Sequence, residues 1–138
     1  MPIAVNWDNE EKTIIRWQFL AKWTWDDYYG ALQNSRKLTQ QATTMIDVIV
    51  DMRASKSLPS HLFTHAQNAI QTTSLNVGTI VVIGVTPLLR SAFNTFKRLY
   101  DATTGGSRHE LYLVAHDANA YKIFAKAQAR REQSSTRG

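Results

Sequence analysis

The sequence predicts one α/β domain: an N-terminal β-hairpin, a helix, and then three strand–helix units that build a mixed sheet with helices packed on it. Three observations carry this. The runs Met45-Ile46-Asp47-Val48-Ile49-Val50-Asp51, Gly78-Thr79-Ile80-Val81-Val82-Ile83-Gly84-Val85 and His109-Glu110-Leu111-Tyr112-Leu113-Val114-Ala115 are short, apolar and rich in β-branched residues. Such strands are apolar on both faces, which is the pattern of a sheet covered on both sides. Each is followed by a segment of helical periodicity. The length of 138 residues and a hydrophobic content of 43% suit one domain with a core of ordinary size.

Each element has a local reason. Ile3 to Trp7 alternates and reads as a strand, Asp8 to Glu11 as a polar turn, and Thr13 to Leu20 as a second strand with Ile15, Trp17 and Phe19 on one face. Alternating runs around a short turn form an antiparallel hairpin. Thr24 has the chemistry of a helix cap, and Asp27 stands three positions on, where its carboxylate can return a bond to the cap amide. That helix is expected to reach about Thr39 and to bury Trp25, Tyr28, Leu32 and Tyr29. Met52 to Pro59 reads as an irregular loop. Ser60 then caps a helix carrying Leu62, Ala66, Ala69 and Ile70. Thr86-Pro87 opens another helix, with Leu89, Ala92, Phe93, Phe96, Leu99 and Tyr100 as its apolar stripe. Asp117 is read as the cap of a last helix that buries Tyr121, Phe124 and Ala125. Domain residues end at Arg131, and 132–138 read as a disordered tail.

Composition narrows the function classes. The chain has no cysteine, which excludes disulfides and thiolate metal sites. Neither a signal-peptide pattern nor a bilayer-spanning run is present in the sequence, and a cytoplasmic location is the expectation. The net charge is +5, but Lys122, Lys126, Arg130, Arg131 and Arg137 face only Glu132 after position 117, so most of the excess sits on the last helix. A broad basic face is the usual mark of nucleic-acid binding. Its absence here argues against a specific nucleic-acid partner.

In open α/β sheets, ligands bind beyond the carboxyl ends of the parallel strands. Three loops meet there: 51–57, 84–86 and 115–117. Asp51 is the leading single candidate for chemistry, as a carboxylate ending a buried strand, although an Asp there that simply caps the next turn is the favoured reading. Ser55 and Ser57 stand beside Arg53 and Lys56, where a phosphoserine would find cations, although an ordinary polar loop is the favoured reading. Thr86 and Arg90 lie in the first turn of a helix whose free amides suit an anion. His116 has the chemistry of an acid or base. His61 and His65 have the i, i+4 spacing of metal ligands but lack a third partner, and the surface reading is favoured. Asp47, inside its strand, is expected to pair with a basic residue. Trp7, Trp17, Trp23 and Trp25 all fall in the first 25 residues, as core residues or as a dimer interface. There is no dinucleotide fingerprint, phosphate-binding loop or nucleophile elbow, so no cofactor and no catalytic residue are assigned.

Ile46-Asp47-Val48-Ile49-Val50-Asp51-Met52, then Val77 to Gly84 followed by Pro87-Leu88-Leu89-Arg90, and the closing strand–Asp–Ala–helix around Asp117 carry a family likeness. In this order the chain resembles the STAS domain, the anti-sigma factor antagonist fold, and most nearly its SpoIIAA-like branch, over about Ile3 to Arg131. Phosphorylated members carry Asp-Ser-(Ser/Thr)-Gly at the start of the second helix. The matching stretch here, Ser55 to His61, has no such motif. The resemblance therefore implies a non-enzymatic regulatory module that binds a protein partner without the phosphoserine motif. It also implies dimerisation, and it leaves open the alternative of a small anionic or lipidic ligand at the strand ends.

Overall fold

A computed structural model describes residues 2–55, 59–61, 64–65, 68, 76–84, 86–87, 90–91, 93–95, 97–98 and 110–137. Five strands form one mixed sheet in sequential order: β1 (Ile3–Trp7), β2 (Ile14–Ala21), β3 (Ile46–Ser55), β4 (Val77–Ile83) and β5 (Glu110–Val114). β1 and β2 are the antiparallel hairpin, with Val5 opposite Trp17. The pairs β2–β3, β3–β4 and β4–β5 are parallel. Helix α1 (Trp25–Gln41) follows the hairpin, and helix α2 (Asp117–Arg137) closes the chain. Between β4 and β5, Pro87, Arg90, Ser91, Phe93, Asn94, Thr95, Lys97 and Arg98 are helical. No helix among the described residues is long and apolar enough to cross a membrane.

The period of two along each strand divides the sheet into two unlike faces. One face carries Ile3, Ile15, Trp17, Phe19, Ile46, Val48 and Val77, which pack with Trp23 and with Ala31 of α1. The aromatic rings run in contact from Trp17 through Phe19, Trp23 and Trp25 to Tyr28. Trp17 and Trp23 are buried, and Trp7 and Trp25 pack against this cluster, so the tryptophan surplus is core material. A polar pair is buried on this side: the Trp17 indole N–H donates to Ser35 Oγ at 3.2 Å. The start of α1 is the capping box the sequence predicts, with Thr24 and Asp27 exchanging bonds.

The other face is narrower and belongs to α2. Ile14, Ile49, Val81 and Ile83 meet Ala120 and Phe124, flanked by Tyr112, Val114 and Ile123. The helix turns Ala120, Phe124 and Ala127 inward, whereas Tyr121 and Ala125 of the expected set are exposed. Alanines on the inner line let the helix backbone approach the sheet closely, and Phe124 is the large side chain buried between them.

Three further expectations change. Residues 52–55 are strand and not loop, because β2 continues beside them and pairs Leu20 with Ala54 and Ala21 with Ser55. Asp117 is the first residue of α2 and its carboxylate is used elsewhere, as shown below. α2 continues to Arg137, where a tail from 132 was expected, since neither glycine nor proline interrupts it before Gly138. His61 has φ 61°, while His65 is stacked on Trp25 and bonded to Tyr29. Leu62, Ala66, Ala69, Ile70, Leu89, Ala92, Phe96, Leu99 and Tyr100 lie outside the described residues.

Phe124 is 1% exposed and anchors α2. Phe124→Ala is expected to cost about 3–5 kcal/mol, read by urea denaturation. A loss below about 1 kcal/mol would show that α2 is not seated on this face.

Candidate functional site

Two sites of charge flank the apolar strip under α2, one on each side of it. The first lies where the site was expected, beyond the carboxyl ends of β4 and β5. Arg16 stands on β2 on the α2 face, between Ile14 and Gln18. Its guanidinium reaches three carboxylates: Nε donates to Asp8 Oδ1 at 2.8 Å, Nη1 to Asp51 Oδ2 at 2.9 Å and Nη2 to Asp117 Oδ1 at 2.9 Å. Arg53, two residues along β3 from Asp51, points to the same side. It donates from Nε to Asp51 Oδ1 at 3.0 Å, from Nη2 to Asp51 Oδ2 at 2.7 Å, and from its backbone N–H to Oδ1 at 3.1 Å. Arg53 also reaches Asp117 at 3.3 Å, and Tyr121 donates its hydroxyl to Asp8 at 2.7 Å.

The sheet brings these groups together. Register places Asp51 opposite Ile83, and Ile83 opposite Val114, so Asp51 is level with the ends of both neighbouring strands. β3 overhangs by four residues, which carries Arg53 over the chain leaving β4. Gly84 makes that crossing possible. Its φ is 78°, and a Cβ there would overlap the Arg53 side chain. Asp117, opening α2, completes the ring.

The electrostatics follow from the contacts. The Asp51 side chain is only 5% exposed. Its carboxyl is held below its ordinary range, first by the Arg53 side-chain bonds, which outweigh the cost of burial. Burial opposes the charge on Arg16, but its bonds to Asp8 and Asp117 more than compensate and hold it charged. The Tyr121 hydroxyl is held in its neutral form, chiefly by its bond to Asp8. Each of these groups is partnered within the cluster.

The second site is centred on Asp47, whose side chain is 0% exposed. It accepts from Thr79 N at 3.2 Å, from Gln128 at 3.3 Å, and from Arg131 Nη1 and Nη2 at 3.2 and 3.1 Å. The β3–β4 ladder shifts register here, between Ile46 and Val48, and the carboxylate takes up the amide of Thr79. A Cβ at Gly78 would lie 2.7 Å from Arg131 Nη1, so the glycine makes room for the guanidinium. This is the basic partner expected for Asp47. Next to it, Arg130 pairs with Glu110 at 2.9 Å.

The other expected site residues are placed separately. Ser55 ends β3, and its Oγ accepts from the Trp23 indole at 3.1 Å. Ser57 lies outside the described residues. Thr86 and Arg90 are both exposed, and Arg90 N donates to Thr86 O at 2.8 Å, the first turn of the predicted helix. A shallow, open depression is lined by Pro87, Arg90, Ser91 and Asn94. His116 is exposed beside Asp117, and its carbonyl accepts from Asn119 N at 3.2 Å. Among the described residues, no group of three or more His, Cys, Asp or Glu side chains is arranged to hold a metal ion. Sequence reasoning missed Arg16 and Asp8 as site residues and gave Arg53 only as a cation beside Ser55 and Ser57. The signal was present: alternation in β2 puts Arg16 on an inward face, where a cation requires a carboxylate partner.

No protein-family model, curated protein or solved structure matches this chain.

The depressed carboxyl of Asp51 makes stability depend on pH. Its contribution is complete above the unfolded-state value of 3.8 and is lost as pH falls from there toward the lower folded-state value. Asp51→Asn is expected to cost about 3 kcal/mol at pH 7. It should also reduce the loss of stability below pH about 4. Denaturant midpoints across pH 2–7 check both expectations, which fail if wild type and variant lose stability in parallel (about 2–5 being the range over which carboxylates titrate).

Proposed function

We propose that this chain is a non-enzymatic regulatory or protein-interaction module of the STAS-like kind, acting without a phosphoserine motif. The observation that carries the proposal is the state of Asp51. At the edge where an α/β enzyme keeps its reacting groups, the central carboxylate is bonded by two guanidiniums and a backbone amide. A phosphoacceptor or metal-binding aspartate needs lone pairs turned to solvent. A base needs a pKa raised toward neutrality, the reverse of what is found here. The element order of hairpin, helix and successive parallel strands supports the family resemblance. The strand ends serve as a latch for α2, and the exposed helical turn at Thr86 and Arg90 is the surface offered to a partner.

One observation favours a second reading. The depression lined by Pro87, Arg90, Ser91 and Asn94 would accept the head of a small anionic or lipidic ligand.

Native mass spectrometry of the full chain after gentle affinity purification separates the two. A protein retained in stoichiometric amount supports the module, and Arg90→Ala should weaken that complex about tenfold or more. A small organic molecule or lipid retained in stoichiometric amount, and lost in Arg90→Ala, would replace the module with the second reading.

A further inference from the structure

The outer edge of β1 points to a partner of a particular kind. In the hairpin, Asp8 N donates to Ile14 O and Leu20 N donates to Pro2 O. With the register Ala4–Gln18 and Asn6–Arg16, the even-numbered residues of β1 therefore turn their backbone groups toward β2. The N–H and C=O groups of Ile3, Val5 and Trp7 turn outward, and β1 is the end strand of the sheet. Among the described residues nothing pairs with them. The Trp7 ring is only half-buried.

Exposed edges are a hazard that proteins normally blunt with lysine, an internal proline or a bulge. β1, Ile-Ala-Val-Asn-Trp, has none of these and carries no charged side chain. The next residue, Asp8, is neutralised by Arg16. The edge is also self-complementary. Laid antiparallel against a copy of itself about a two-fold axis at Val5, it places Ile3 opposite the copy's Trp7. Each such pair exchanges two backbone hydrogen bonds, about six in all. A β-branched residue faces an aromatic one at both ends, a favourable cross-strand combination. No like charges meet. α1 packs on β1, so the two α1 helices approach each other beside the same axis and enlarge the contact.

We infer that β1 is the dimer interface of this chain, joining two copies through one continuous sheet of ten strands, twice the five of one subunit. The inference stands on the geometry of β1 and is independent of the functional reading above.

The test uses the full chain and its variant Ala4→Lys/Asn6→Lys. Both side chains point away from the aromatic core, Ala4 half-buried and Asn6 exposed. In the dimer each would sit opposite the other in the partner strand, so the variant sets lysine against lysine. Sedimentation at about 50 µM should give twice the subunit mass of 15.7 kDa for the wild type and a single subunit for the variant, with unchanged far-UV circular dichroism. Hydrogen exchange of the wild-type chain provides a reading that needs no variant. The amides of Val5 and Trp7 should be slow at high protein concentration and become fast on dilution. A wild-type monomer overturns the inference. So does a dimer whose Val5 and Trp7 amides exchange quickly, or one that persists unchanged in a folded lysine variant, since the contact would then lie elsewhere.

Discussion

Arg16 is the residue on which the arrangement of this domain depends. Its guanidinium gathers one carboxylate from the hairpin turn, one from the central strand and one from the last helix. These three come from segments that are far apart in the chain, Asp8, Asp51 and Asp117. A planar group with five donors in fixed directions can serve three acceptors at once, and lysine cannot. At the opposite end of α2, Arg131 and Gln128 do the same for Asp47. The helix is thus located at both ends by charge, while a short apolar strip between them supplies the attraction. Buried ion pairs add little net stability when their desolvation is counted, but losing one partner is costly. They fix where α2 sits more than how strongly it binds.

The two faces of the sheet use different physics. On the α1 side, large aromatic and branched side chains fill the space, and position is set by shape. On the α2 side the contact is small, and position is set by directional bonds. The carboxyl edge of the parallel strands, which in many α/β proteins stays open for ligands, is here occupied by the protein's own ions. The turn at Thr86 and Arg90 is exposed, and among the described residues nothing pairs with the outer edge of β1.

Much of the fold was legible because it rests on local patterns. The alternation in 3–7 and 13–20, the Thr24–Asp27 box and the β-branched runs each have a short-range physical cause, and each appears as expected. What was not legible depended on neighbours remote in sequence. Residues 52–55 look like a loop until β2 is placed beside them. Asp117 looks like a cap until Arg16 and Arg53 arrive from 101 and 64 positions away. The prominence of Asp51 was readable from its place at the end of an apolar run. Its role was not, because the two cations that decide it come partly from another strand. Arg16 itself could have been found, since a cation on an inward strand position demands an anion, and Asp47 and Asp51 were the visible candidates.

The central claim is that Asp51 is a structural anion saturated by Arg16 and Arg53. Its carboxyl carbon, followed by NMR as pH is lowered, reports this directly. The account predicts a midpoint below the ordinary 3.8 and no response to added magnesium. A midpoint at or above that value, or a carboxyl resonance that moves with stoichiometric magnesium, would contradict it and return the strand edge to the status of a ligand site.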